Sequence, residues 1–377
     1  MVITRRIAAA TAAAGTVTAA ALLMAPAATG ARAHVPAPFL APFHKLTTIG
    51  STVPKNGDVN PYGIVALTKS EGRLVAGDVL ISNFNDKANL QGTGSTLVEI
   101  SPSGHLTQFA KITKASLPGS CPGGVGLTTA LVVLQNGWVV VGSTPSTNGQ
   151  AATAKAGCLI VLDNTGKVRE TISGHGINGP WDATAISAGP LADVFVTNVL
   201  NGTVRGHGKV VRQGTVLRLT LHVSGNHPPR LLHVTTIGSG FREQTSASAF
   251  VLGPTGVGLG ANGTLYVAET VSSRIAAIPH AIFRHSSAGT GRNVTARGAL
   301  ASPLGLAIAP NGDILTVNGA NGKIVETTPG GKQVVIRMLD KSGSPPGAGA
   351  LFGLAVVPGG TGVFYVDDAV NTLRLLH

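Results

Sequence analysis

Groups able to do chemistry are sparse in this chain: 377 residues carry 16 Asp and Glu, 11 His and 2 Cys. No Gly-x-Ser-x-Gly elbow, His-Glu-x-x-His, Cys-x-x-Cys or phosphate-binding loop occurs, so the common nucleophile, zinc and phosphoryl-transfer arrangements are not signalled. Gly174-His175-Gly176-Ile177-Asn178-Gly179 satisfies Gly-x-Gly-x-x-Gly as text. It leads into Pro180-Trp181 and a strand rather than a helix, which excludes a dinucleotide site. What does recur is an amide or acid beside a turn. Asn60, Asn178 and Asp182 stand at one turn position, and Asn83, Asn198, Glu269, Asn318 and Asp367 at another. Brought round one axis, such oxygens can hold a cation or a polyhydroxylated ligand. Asn60, Asn178 and Asp182 are the candidate metal ligands. The competing role is structural, because Asx side chains stabilise turns by bonding nearby backbone.

A repeated unit positions these residues. Its clearest copy runs from Gly253-Pro254-Thr255-Gly256 through Asn262-Gly263-Thr264-Leu265-Tyr266-Val267-Ala268-Glu269 to Arg274-Ile275. Further copies start at Ser302-Pro303-Leu304-Gly305 and Phe352-Gly353-Leu354, and looser ones at Pro61, Gly126 and Gly179. Asn-Gly and Gly-Asp supply the positive φ of tight hairpin turns, and the flanking Val, Ile, Leu and Tyr suit buried strands. With 43% hydrophobic residues, 51 Gly and 22 Pro, the chain has the mass for a large core and many short elements, which excludes disorder. Six small sheets that cannot bury both faces alone must stack radially. The expectation is therefore an all-β, six-bladed β-propeller of four-stranded antiparallel blades. The sixth unit runs out of chain one strand short, while Thr47-Thr48-Ile49-Gly50-Ser51 repeats Thr235-Thr236-Ile237-Gly238-Ser239. Residues 43–50 are expected to complete the last blade and remove its open edge.

Pro-x-Gly, an apolar strand, Asn-Gly, Leu-Tyr-Val-Ala-acid and Arg-Ile, best seen over 253–275, resemble the NHL repeat. The architecture is also similar to the gluconolactonase-like and strictosidine-synthase-like propellers. The first resemblance implies the propeller fold. The second implies a lactonase or esterase dependent on a calcium-type cation in the central channel, with Asp182, Asn178 and Asn60 as its ligands here. Those enzymes open the first blade with a glutamate before Gly-Pro, whereas this chain has Asn60-Pro61-Tyr62-Gly63. A binding module is accordingly the first reading, and the metal-dependent hydrolase the alternative.

The turn between second and third strands is long in the first three units, with strand ends at Ser82 and Ser95, Gly142 and Gly157, Thr197 and Gly214. It is short at 269–273, 318–322 and 367–371. Long loops on a rigid scaffold are where recognition resides, and these carry Lys87, Lys155, Arg205, His207, Lys209 and Arg212. The expected partner is a protein, glycan or cell-envelope component seated over blades one to three. The net charge of +12 is scattered, without basic runs or aromatic platforms, so nucleic acid is not the expected partner. Arg5 and Arg6 precede an Ala-rich uncharged stretch and the triplet Ala31-Arg32-Ala33, which reads as a secretory signal over 1–33. Residues 34–42 would then open the mature chain, and 43–377 form one propeller domain with no membrane span. In an oxidising compartment Cys121 and Cys158 are expected to pair. So few acids also suggest tolerance of acidic surroundings.

Overall fold

The computed structural model describes residues 36–247 and 249–377; the expected signal segment, 1–33, and residues 34 and 35 lie outside them. Six antiparallel sheets are arranged around one axis. Their innermost strands are Val59–Ala66, Leu127–Val133, Pro180–Ala188, Pro254–Leu259, Pro303–Ile308 and Leu351–Val356, and successive members of this set pack side by side round the ring. Five blades have four strands. Blade three has a fifth, because its outer strand, Arg230–Ser246, overshoots the sheet and folds back as a hairpin onto Phe250–Leu252.

The closing strand is Leu46–Ser51, paired antiparallel with Thr372–Leu376. Ring closure therefore ties the two ends of the propeller together. The five-residue match that signalled it has a physical content. In both copies the ladder skips the isoleucine: Thr48 and Gly50 are paired around Ile49, and Thr236 and Gly238 around Ile237. The repeat encodes a β-bulge that turns an apolar side chain into the blade.

Pro-x-Gly likewise marks a bulge, since each innermost strand loses register just after its first residues, between Pro61 and Ile64, Pro254 and Val257, Pro303 and Leu306. The glycine is required by the neighbouring blade. A Cβ on Gly256, Gly305 or Gly353 would run into the backbone of Leu304, Phe352 or Tyr62, one blade further on. Hydroxyls staple the seams as well. Ser82 Oγ accepts the Gly63 N–H (2.9 Å) and donates to Thr128 O (2.7 Å), and Thr197 Oγ1 repeats this with Asp182 N (3.0 Å) and Thr255 O (2.6 Å).

Between blades, Val, Leu and Ile side chains interdigitate, as where Leu80, Leu97, Leu131, Val141 and Ile160 join blades one and two. Cys121 and Cys158 form a disulfide with their Cα atoms 5.3 Å apart. It joins the turn entering blade two to the start of that blade's third strand. Ahead of the closing strand, the chain lies against the fifth and sixth blades. Buried Glu326 accepts the N–H groups of Phe39 (2.5 Å) and Leu40 (2.8 Å), and Arg337 donates to the carbonyls of Ala41 and Phe43 (both 3.2 Å).

Candidate functional site

The turns entering the innermost strands and the turns between second and third strands share one end of the ring, the loop end. There the channel is filled rather than hollow. Tyr62 stacks between Phe84 and Phe352, with ring centroids 4.5 and 4.0 Å away, and Trp181 lies 6.2 Å from it. Phe250, delivered by the blade-three hairpin, meets Phe84 edge-on at 5.5 Å. All five rings are buried. The middle residue of the bulge motif supplies three of them: Tyr62, Trp181 and Phe352. Beneath this layer a cavity of about 420 Å³ is lined by the C-terminal parts of the innermost strands, mostly Val, Leu, Ile, Ala and Gly, with Asp182 as its acid.

The three candidate metal ligands do not share a site. Asp182 occupies the glycine position of the motif in blade three, and its carboxyl bridges the seam: Oδ2 accepts the Val257 N–H of blade four (3.0 Å) and Oδ1 the Ala183 N–H (2.8 Å). Burial pushes this carboxyl up to about 8, against the opposing pull of those two donors. Asn178 lies on the outer rim, its Nδ2 donating to Asn201 Oδ1 (2.5 Å). Asn60 sits at the blade-six seam, its N–H bonded to Asn371 Oδ1 (2.7 Å) and its own Oδ1 buried with no hydrogen-bond partner among the described residues. Tyr62 beside it has a phenol raised by burial and then by Asp368. A cation at these three residues would find one carboxylate, already engaged by two N–H groups, so the set does not fit such an ion. Among the described residues no three His, Cys, Asp or Glu side chains converge on a metal position.

Of the residues at or near the ends of the second strands, the three asparagines act as clamps on entering turns. Asn83 Nδ2 donates to Thr52 O (3.0 Å), Asn198 accepts from Asn178 N and Gly179 N (both 2.8 Å), and Asn318 Nδ2 donates to Ala299 O (2.8 Å). Glu269 and Asp367 hold Arg274 (2.6 Å) and Arg374 (2.8 Å), arginines of the third strands of their own blades. None of the five lines the channel cavity.

The loops over blades one to three, residues 86–95, 144–157 and 199–210, form a raised wall held by its own hydrogen bonds. Ser146 N donates to Gly92 O (2.9 Å), Gln91 Nε2 to Ala247 O in the hairpin (2.9 Å), and Gly157 N to Asn178 O (2.6 Å). In blades four to six the same turns span only 270–273, 319–322 and 368–371. Between the second and third long loops opens a pocket of about 490 Å³, lined by Ala154, Ala156, Asn178, Leu200, Asn201 and Arg205, among others. Lys87, Lys155, Arg205, His207, Lys209 and Arg212 are all exposed on this side. Against them the three loops hold a single acid, Asp86, whose Oδ1 is taken by the N–H groups of Ala88 and Leu90. Ion pairs among the described residues lie elsewhere, at Arg169, Arg274 and Arg374. Sequence reasoning missed Asn201, the hairpin and the aromatic layer. The aromatic at the middle of Pro-x-Gly was the available signal for the last.

No protein-family model and no curated protein sequence matches the chain. Solved structures do match. A gluconolactonase from Xanthomonas campestris superposes with a TM-score of 0.56 at 13% identity, over 89% of this chain and 90% of that one. The fold is that of the gluconolactonase-like propellers. Regucalcin, a calcium-binding protein from Agrobacterium tumefaciens, gives 0.53 at 12% identity, over 87% and 93% of the two chains. A streptogramin B lyase gives 0.51 at 15%, over 89% and 97%. At these identities the likeness is one of fold, and activity has to be argued from the residues.

Proposed function

We propose that the chain is a secreted propeller that works as a binding module, its ligand a protein, glycan or cell-envelope component seated on the loops of blades one to three. One observation carries this reading. The loop-end mouth of the channel is closed by Tyr62, Phe84, Trp181, Phe250 and Phe352, whereas the wall beside it encloses an open pocket flanked by Lys155 and Arg205, which make no ion pair among the described residues. A disulfide is also the form in which two cysteines persist outside the cytoplasm.

Exposed charges can be exchanged without disturbing the fold, but the loops themselves cannot be cut away cleanly, because Leu200, Ala151 and Ala154 pack on the aromatic layer. The test therefore uses Lys155→Gln, Arg205→Gln and Lys209→Gln together, with binding to isolated cell-envelope fractions measured by calorimetry. Binding by the wild type that is lost in the triple variant, at unchanged melting temperature, supports the proposal. Undiminished binding refutes it, and lactone or ester hydrolysis abolished by EDTA would establish the metal-dependent hydrolase instead.

A further inference from the structure

We propose that the pocket between loops 144–157 and 199–210 binds a carboxylate-bearing sugar, with Arg205 holding the carboxylate. This deepens the rim-binding reading and rests on it.

The floor of the pocket is a connected amide network. Asn201 Oδ1 accepts from Asn178 Nδ2 (2.5 Å) and Asn198 Nδ2 (3.3 Å), and Asn201 Nδ2 donates to Asn198 O (3.2 Å) and Thr215 Oγ1 (3.3 Å). These bonds fix the Asn178 amide with its nitrogen inward, and its Oδ1, on a pocket-lining residue, accepts from no described residue. Gln213 adds a second amide at the edge, while Ala154, Ala156, Leu200 and Val204 supply apolar wall. Arg205 is exposed at the mouth and donates no hydrogen bond to any described residue.

Each of these features selects a part of the ligand. The guanidinium fork matches the two oxygens of a carboxylate. A free amide oxygen needs a hydroxyl donor, and an apolar wall accepts the C–H face of a sugar ring. A phosphate would instead require several converging N–H groups, and this pocket offers one cation within its lining. Lys155, Lys209 and Arg212 stand outside the lining, so they act through the field along a longer chain of acidic sugars, in a salt-dependent way.

Calorimetry with tri-galacturonic acid, galacturonic acid and the neutral galactotriose provides the test, on wild type, Arg205→Gln, Arg205→Lys and, as a control on an exposed turn of blade five, Lys332→Gln. The expected result is tri-galacturonic acid bound more tightly than the monomer and weakened by salt, with galactotriose weaker than either. Arg205→Gln should lower affinity by roughly tenfold to a hundredfold, the equivalent of a charge-assisted hydrogen-bonded pair, with Arg205→Lys between and Lys332→Gln near wild type. No binding of the acidic sugars, or equal binding of acidic and neutral ones, overturns the inference. If galactotriose binds equally well and binding disappears on filling the pocket with Ala156→Trp, the rim reading stands and the acidic specificity alone fails.

Discussion

Acidification should stabilise this protein, and the buried carboxyls set the size of the effect. Asp182 and Glu243 are both buried, at 7% and 0% exposure, and burial pushes each up to about 8. Glu99 and Asp368 rise to about 7 by the same cause, Asp368 also by the neighbouring Asp367. In the unfolded chain such groups titrate near 4. Below that pH both states hold the protons and stability does not depend on them. Between about 4 and 8 the native chain keeps protons that the unfolded chain has released, so stability falls as pH rises, by about 1.4 kcal/mol per unit for each group. Asp182 and Glu243 together then account for a loss on the order of several kcal/mol between pH 5 and pH 7.5, a large part of an ordinary domain's stability. Urea unfolding, followed through the buried Trp138 and Trp181, reads this directly. The midpoint should drop from pH 5 to pH 7.5, and Asp182→Asn and Glu243→Gln should each flatten the slope by about 1.4 kcal/mol per pH unit. A midpoint that is level or rises over that range, or variants with the wild-type slope, would refute the reasoning.

Removing Phe250 should cost roughly 3 to 5 kcal/mol, because Phe250→Ala leaves a cavity against the buried ring of Phe84; chemical denaturation checks it, and a loss under 1 kcal/mol would mean the hairpin does not seal the channel. Replacing both cysteines by serine should cost about 3 to 4 kcal/mol, the loop-closure value for a separation of 37 residues. On denatured, unreduced protein a thiol assay should find none, and two titratable thiols would contradict the pairing.

The ring was legible because its turns carry residues that few other conformations require. Gly263 and Gly312 hold φ of +74° and +87° at the Asn-Gly turns, and the Thr-Thr-Ile-Gly-Ser match located the closing strand to within a few residues. Which residues face the channel was less legible. Asp182 reads as a ligand until it is seen in the glycine slot of the bulge, where its carboxyl replaces a close backbone approach with a hydrogen bond across the seam. Asn83, Asn198 and Asn318 are spaced like a ring of ligands, yet each is used by the entering turn of its own blade, a partnership between distant segments that sequence spacing does not display. The blade-three hairpin left little trace because it continues an ordinary strand, Arg230–Ser246, past the end of its sheet.

Hydrogen–deuterium exchange with and without tri-galacturonic acid tests the central claim, that recognition belongs to the wall and not to the channel. Protection confined to residues 144–157 and 199–213 is the expected outcome. Protection instead at 182–185 and 305–308, inside the ring, would contradict it.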